Sequence, residues 1–310
     1  MRKIIIVILS VFWAVPVSSQ VVVPSLDPVL ACELASAIAW RVGSTVGIDV
    51  DYVSQAADTS DDAESKNTKQ SVLISYQPGN FIGELYYSPY SETKSYSFGS
   101  ESINVDWEND NGVEYGLRLA IRGDRRVSVG IGYEGRTHDI NDYQYGYSHY
   151  EGSFSLRLFE GLLFLGAGMQ RVTENLGSDD SRKMNRVLTG AAIQIGDPTD
   201  TIFKTEVSMK ISPKTESDND ILGESPQTTE STLAIELLTG SFLFSYRMSQ
   251  KVYEEYTNND NLTEINNRYG LGTKLGSFTF SLYRNAWTAI LNDETKNYDI
   301  YQATVGFNFL

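Results

Sequence analysis

The ten residues VEYGLRLAIR (113–122) alternate strictly between apolar and polar or small side chains. Every odd position is apolar, from Val113 to Ile121, and the even positions hold Glu114, Arg118 and Arg122 among small residues. A period of two is typical of a β-strand, in which successive side chains point to opposite faces of a sheet. The stretch therefore predicts a strand with one apolar face and one polar face.

The same alternation recurs downstream in runs of about ten residues. We predict strands at 126–136, 144–158, 162–172, 185–196, 202–212, 229–238, 242–251, 264–275, 278–287 and 297–309, beside 113–122. A tilted strand of about ten residues crosses the apolar layer of a membrane, whereas strands of soluble proteins commonly have five or six. The pattern favours a transmembrane antiparallel up-and-down β-barrel over a soluble β-sandwich, which alternates in the same way.

Connection lengths and aromatic residues also favour a membrane barrel. Short turns at 123–125, 160–161, 239–241 and 276–277 alternate with long polar connections near 137–143, 173–184, 213–228, 252–263 and 289–296. Such barrels have short turns at one end and longer loops at the other. Tyrosines stand near strand ends, where a ring with a polar tip suits the interface between lipid and water; they are Tyr86, Tyr87, Tyr143, Tyr145, Tyr147, Tyr253, Tyr256 and Tyr298.

The number of strands depends on the region before residue 113. Four stretches alternate there: 45–54, 70–77, 81–90 and 102–108. An even count with both termini at one end requires three of them, or only one. We predict about fourteen strands, with 45–54 or 102–108 as the doubtful member and twelve strands as the alternative. The sequence DWENDNG (106–112) loosely resembles a calcium loop, but its spacing is wrong and we interpret it as a turn.

Residues 1–19 read as a signal peptide. Arg2 and Lys3 precede an apolar run from Ile4 to Val15, and small residues follow at 17–19. An uncleaved anchor is the alternative, but the run is shorter than the ~20 residues that span a bilayer. The only cysteine, Cys32, excludes an internal disulfide and reads as a buried thiol rather than a lipidation site. Residues 20–43 contain helix formers without alternation, so they predict a short helix acting as a plug, a periplasmic N-terminal arm or a disordered terminus; the barrel is placed at 44–310.

The chain ends in YQATVGFNFL, in which Tyr301, Ala303, Val305, Phe307 and Phe309 share one face. This segment resembles the C-terminal strand of bacterial outer-membrane β-barrels, although the final residue is Leu310 rather than an aromatic. The resemblance is to the porin-like superfamily as a whole and covers nearly the entire mature chain. It implies an outer-membrane location in a Gram-negative bacterium, contact with membrane lipid and lipopolysaccharide, and recognition of the last strand by the barrel-assembly machinery.

The polar face predicts a water-filled interior. Fourteen charged residues on it are expected to line a pore: Arg118, Arg122, Arg136, Arg157, Arg186, Lys204, Lys210, Arg247, Arg268, Lys274, Glu114, Glu134, Glu206 and Glu236. The basic bias of this wall, beneath acidic loops, predicts a mildly anion-favouring waist; the alternative is that Arg–Glu pairs simply brace the barrel. The expected function is passive diffusion of small hydrophilic solutes or ions.

Two other functional classes stay open. A plugged barrel could serve as a structural or adhesive protein that presents acidic loops. An outer-membrane hydrolase would need a histidine beside a nucleophile, but only His138 and His149 exist, and adjacent Ser148 and His149 point to opposite faces of a strand. We therefore predict no enzyme activity, no cofactor and no metal. The net charge of −15 argues against nucleic acid as a partner.

Overall fold

The computed structural model describes residues 34–40, 46–56, 64–76, 79–98, 103–123, 126–140, 143–176, 180–197, 201–215, 226–257, 260–275, 278–291 and 294–309. Residues 1–33, which include the predicted signal peptide and Cys32, lie outside this set. Among the described residues, no helix is both long and apolar enough to cross a bilayer.

Fourteen strands make up this part of the chain. They are β1 (Val46–Ala56), β2 (Glu64–Tyr76), β3 (Phe81–Phe98), β4 (Ile103–Arg122), β5 (Val127–Ile140), β6 (Tyr143–Leu158), β7 (Leu163–Leu176), β8 (Asp180–Asp197), β9 (Thr201–Ser212), β10 (Thr228–Thr239), β11 (Phe242–Thr257), β12 (Asp260–Leu275), β13 (Phe278–Leu291) and β14 (Glu294–Phe309). Two short 3₁₀ segments accompany them, Ala35–Trp40 before β1 and Phe159–Gly161 between β6 and β7.

The strands form one antiparallel up-and-down sheet. Each strand pairs with its neighbour in sequence, and β1 pairs with β14 from Val46↔Phe309 to Ala56↔Asp299, which closes the sheet into a barrel. Closure leaves the sheet without an edge, so each strand has hydrogen-bonding partners on both sides. The predicted all-β antiparallel architecture is confirmed. We call the end where β1 begins and β14 finishes the short-turn end, and the opposite one the far end.

One long strand, β4, takes the place of two separate strands that the sequence predicted on either side of residues 109–112. Residues 103–108 of the first predicted stretch and all of 113–122 belong to β4, so the interpretation of 106–112 as a turn is wrong. Strand β4 follows β3 along its whole length, with one register irregularity between Glu92 and Lys94. Backbone pairing with a long neighbour therefore outweighs the turn preference of Asn, Asp and Gly in this segment.

Several predicted far-end loops are shorter than the sequence suggested. Strands β5 and β6 leave only residues 141–142 between them, and β11 and β12 leave only 258–259. The polar sequences 137–143 and 252–263 were read as loops because their alternation is weak. A strand can be polar on both faces and still keep its backbone hydrogen bonds to its neighbours, so a polar sequence does not by itself mark the end of a strand.

The two faces of the sheet differ in the way that the alternation predicts. The outward face carries apolar side chains that are half or more exposed, such as Leu85, Val129, Ile131, Phe154, Met169, Val207, Leu271 and Leu282. A soluble monomer rarely exposes so much continuous apolar surface. The inward face carries buried polar and small residues, among them Glu84, Ser128, Glu151 and Glu206.

A row of tyrosines crosses the outward face, but most of its members differ from those predicted at the interface. Tyr87 pairs in register with Tyr115, and Tyr133 pairs with Tyr150, with ring centroids 5.0 Å apart. Tyr115 and Tyr133 lie 6.1 Å apart. Only Tyr87 of this row was predicted. Tyr86, Tyr145, Tyr147 and Tyr253 instead occupy inward positions of their strands, so assigning them to the lipid interface was wrong.

Candidate functional site in the barrel interior

Residues 34–40, which we call the inner segment, lie inside the barrel. The segment packs against β3, β4, β5 and β6. Leu34 and Ala37 form an apolar cluster with Leu188 and Ala192 of β8, and Ile38 and Ala39 form another with Ile82 of β3 and Ala120 of β4. Leu34 and Ile38 are at most 1% exposed. The segment therefore lies along one side of the wall, between β3 and β8, near the short-turn end.

Hydrogen bonds fix this segment to the wall. The backbone amide of Ala35 donates to Glu151 Oε1 at 2.6 Å, and that of Ser36 donates to Ser153 Oγ at 2.9 Å. The carbonyl oxygen of Ser36 accepts a hydrogen bond from Ser128 Oγ at 2.8 Å. A short 3₁₀ element leaves many backbone groups without internal partners, and these wall side chains satisfy several of them.

Two glycines allow the inner segment to approach the wall closely. A Cβ atom on Gly130 would stand 2.5 Å from the carbonyl carbon of Ala35 and 2.7 Å from Cα of Ser36. One on Gly168 would stand 2.9 Å from Leu34 Cδ2. Real Cβ atoms do not approach backbone atoms that closely, so the close approach of the inner segment to the wall requires glycine at position 130.

A cluster of polar side chains lies beside the inner segment and farther from the short-turn end. Gln170 Nε2 is 3.4 Å from Glu151 Oε2 and 3.3 Å from His149 Nε2. His149 Nδ1 is 3.3 Å from the Tyr147 hydroxyl, and its Nε2 is 3.9 Å from Glu134 Oε2. The carboxylate that holds the Ala35 amide is thus connected through Gln170 to a buried histidine. Ser148 is the residue between Tyr147 and His149 on β6, and no nucleophile stands beside the imidazole among these contacts.

Ion pairs connect the charged side chains of the inner wall. Most of the fourteen residues predicted to line a pore take part in such pairs: Arg118–Glu134 at 3.8 Å, Arg136–Glu114 at 3.7 Å, Arg186–Glu174 at 3.8 Å, Lys204–Glu206 at 3.4 Å, Lys204–Glu236 at 4.0 Å and Lys210–Glu230 at 3.3 Å. All of these pairs except Lys204–Glu206, which lies within β9, join neighbouring strands around the interior. They match the bracing alternative for these residues, since a paired charge contributes little net field.

The other predicted residues lie at the ends of strands or on β11 and β12. Arg122 reaches Asn80 Oδ1 at 3.4 Å, and Arg157 donates to the Glu160 carbonyl at 3.1 Å, so both secure the short-turn end. Arg247 and Arg268 occupy inward positions on adjacent strands. The side chain of Lys274 lies outside the described residues.

The sequence analysis missed several inward charges. The acids are Glu84, Glu151, Glu174 and Glu264, and the bases are Arg182 and Lys251. Glu174 and Arg182 stood in the predicted loop 173–184, whereas Glu84, Glu151 and Glu264 share the parity of inward residues on their own strands and could have been assigned by it. Because the missed acids outnumber the missed bases, the wall is less basic than predicted.

Glu174 pairs with Arg182 and Arg186, and this group tests whether the ion pairs of the inner wall stabilise the barrel. Arg182 Nε donates to Glu174 Oε2 at 2.8 Å, and Arg186 NH1 donates to the Tyr147 hydroxyl at 2.7 Å. Replacing Glu174 with glutamine leaves two guanidinium groups facing a neutral amide. Because breaking a largely buried pair costs about 3 kcal/mol, we expect Glu174→Gln to lower the temperature at which the folded form disappears on a gel. Lys183→Gln, at an exposed position of β8, is the control and should leave that temperature unchanged; equal shifts in both variants would contradict bracing.

Within the described ranges, no group of three or more His, Cys, Asp or Glu side chains is placed to hold a metal ion.

Comparison with known proteins gives matches in fold alone. No known protein family matches the sequence, and no curated protein does. A mutant of the monoaromatic hydrocarbon channel TodX superposes with a TM-score of 0.50 at 9% identity, covering 92% of this chain and 94% of that one. The outer-membrane channel DcaP of Acinetobacter baumannii gives 0.44 at 9% identity, covering 86% and 96%. CdiB from the same organism gives 0.46 at 10% identity over 86% of this chain, which spans only 60% of CdiB.

The match to the TodX channel, at a TM-score of 0.50, is a likeness in fold: both chains form a β-barrel, as the sequence of this chain predicted.

Proposed function

We propose that this protein is a channel of the bacterial outer membrane whose interior is narrowed by its own N-terminal segment. The observation that carries the proposal is the combination of an apolar outward face with a polar inner wall that holds the inner segment by hydrogen bonds. A lipid-facing exterior suits a barrel in a membrane, and a charged interior needs water or partners. Residues 1–19 would be removed during export, and 20–43 would form the arm that carries the inner segment.

A route past the inner segment would run along β8 to β10, where a small cavity separates the segment from the wall. A cavity lies beside Leu34 and Leu188 and is bounded on its other side by Lys210, Glu230 and Thr232. The inner segment makes its wall contacts mainly with β3 to β6, which leaves the opposite part of the interior for solutes. Small hydrophilic solutes and ions would diffuse through this space, past the predicted pore-lining residues of β8 to β10, which are Arg186, Lys204, Glu206, Lys210 and Glu236.

The outward face of the sheet and its last strand indicate what the barrel would contact in a membrane. The outward apolar side chains would contact membrane lipid, and the tyrosine row would lie at the level of the lipid and lipopolysaccharide headgroups. The strand β14, which ends at Phe309, would be the element that the barrel-assembly machinery recognises.

A plugged barrel is the second candidate. It is supported by the hydrogen bonds and the close packing that hold the inner segment against the wall. If residues 34–40 close the interior completely, the protein would present its far-end strands and acidic loops to a partner without conducting. The two candidates differ in whether the folded protein passes ions.

Planar bilayers distinguish the two candidates. We expect purified, refolded protein to give discrete and ohmic current steps that are smaller than those of an unobstructed barrel of fourteen strands. A heat-dependent change in gel migration would show that the sample is folded. Folded protein that stays silent at all voltages would reject the channel and support the plugged barrel.

A further inference from the structure

Two basic side chains stand on the outward face of the sheet, on its part towards the far end. Arg171 of β7 and Lys183 of β8 are both exposed. They share this face with Met169 and Val187, which are 57% and 48% exposed on the same two strands. A charged side chain on the lipid-facing side of a barrel is costly unless it reaches the polar edge of the membrane. These two cations therefore belong to the level of the lipid headgroups.

The strand register brings the two cations together beside the tyrosine row. Arg171 is directly opposite Tyr150 of β6, a member of that row. On its other side Arg171 is opposite Asn185, and Lys183 is opposite Thr173. Arg171 and Lys183 are thus diagonal neighbours on one face, with Cα atoms about 7–8 Å apart. Arginine and lysine side chains are long enough for both charged ends to contact one group between them.

No carboxylate shares the outward face with this pair on the described far-end part of β7 and β8. Glu174, three residues after Arg171, points inward and pairs with Arg182 and Arg186. The chain as a whole carries a net charge of −15, so two adjacent outward cations are the reverse of its bulk composition. The other outward positions of the two strands beyond the tyrosine row are neutral and polar: Thr173, Asn175, Ser181 and Asn185.

We propose that Arg171 and Lys183, here called the outward basic pair, bind a phosphate group of a lipopolysaccharide-type lipid in the outer leaflet. A guanidinium binds phosphate through two parallel hydrogen bonds, and an ammonium group adds a point charge. The longest connection between strands, 213–227, is at the far end, and outer-membrane barrels direct their longer loops outwards, so the pair faces the outer leaflet. This inference goes beyond the proposed channel, and it rests on the proposed location of the barrel in the outer membrane.

The side chains below the pair favour a lipid over other anionic partners. Towards the short-turn end the outward face continues with Met169 on β7 and Val187 on β8, and Phe154 of β6 is 50% exposed. Acyl chains attached to a bound headgroup would lie against these apolar side chains. An acidic peptide or a free phosphate ion would contact the cations only and would leave this surface without a partner.

Fluorescently labelled, diphosphorylated lipid A is the probe for the outward basic pair. Titrated into folded protein in a neutral detergent, it should bind saturably to the wild type and at least ten-fold more weakly to the double variant Arg171→Gln/Lys183→Gln. The matched control is Arg284→Gln, because Arg284 is an exposed outward arginine opposite Tyr269 on β12, and it should change the affinity less than two-fold. Without lipid A the pair has no phosphate to bind, so the double variant should keep the wild-type temperature of gel migration.

Lipid A without its phosphate groups separates headgroup recognition from ordinary contact with acyl chains. We expect this lipid to bind the wild type and the double variant equally weakly, and neither inorganic phosphate nor polyglutamate to displace labelled lipid A at equal concentration. Tight binding of the phosphate-free lipid, displacement by either competitor, or an equal loss of affinity in Arg284→Gln would overturn the site.

The site and the channel can fail separately. A folded wild type that shows no saturable binding of lipid A, or a double variant that keeps the wild-type affinity, would overturn the site and leave the channel untouched. Silence in planar bilayers together with intact lipid binding would reject the channel and leave the site in place.

Discussion

Replacing Gly130 with valine is expected to release the inner segment and raise the single-channel conductance several-fold. A Cβ atom at this position would stand 2.5 Å from the carbonyl carbon of Ala35. Backbone atoms held by Glu151 and Ser128 cannot move aside by a few tenths of an ångström, so the segment must leave its seat. The barrel itself should persist, because the inner segment covers only part of the wall and valine is well suited to a strand.

Gly152→Val is the matched control for this experiment. Gly152 lies on the adjacent strand β6, and a Cβ atom there would have no other atom within 4 Å. We expect Gly152→Val to conduct as the wild type does. Gly130→Val should give larger current steps than either. A shorter protease-resistant core in Gly130→Val alone would show that the N-terminal residues have left the interior. Equal conductance in the wild type and Gly130→Val would contradict the assignment of residues 34–40 as the constriction.

The sequence predicted which side chains face inward because a strand has a fixed period of two. Once Val113 and Ile121 are assigned to the lipid side, Arg118 must face the interior, and no tertiary information is needed. The same rule fails where both faces of a strand are polar. Glu174 and Arg182 were missed for this reason, since their strands continue beyond the apolar band and lose the alternation that reveals them.

The position of the inner segment, in contrast, could not be predicted from the sequence. Its composition predicted a short plug helix, a periplasmic arm or disorder, and no local feature of the sequence selects among these. Its position depends on Gly130, Gly168 and Glu151, which are more than ninety residues away in sequence and become neighbours only when the barrel closes. The register that sets Lys183 diagonally beside Arg171 is likewise a property of the pairing between β7 and β8 and not of either strand alone.

Placing an arginine at position 131 is expected to prevent most of the protein from assembling in a bilayer. Ile131 is 62% exposed on the outward face of β5, between Val129 and the tyrosine row at Tyr133. An arginine on the lipid-facing side of a barrel costs about 2–4 kcal/mol at the middle of the membrane and less towards its edge, so at position 131, one outward residue inside the tyrosine row, we expect a cost below that maximum but well above zero. Refolding into lipid vesicles, followed by urea titration and the gel-migration assay, would show a lower folded fraction and a lower midpoint.

Thr137→Arg tests whether this cost arises from lipid. Thr137 is on the same face of β5 and is also exposed, but it lies beyond Tyr133 towards the far end. Near the interface the cost of an arginine falls to about 0–1 kcal/mol, so this variant should refold almost as well as the wild type. If the outward face were covered by water, both substitutions would be tolerated, because an exposed arginine on a strand has little effect in water. A large loss at 131 together with a small one at 137 therefore places the edge of the apolar layer between these two residues, at the tyrosine row.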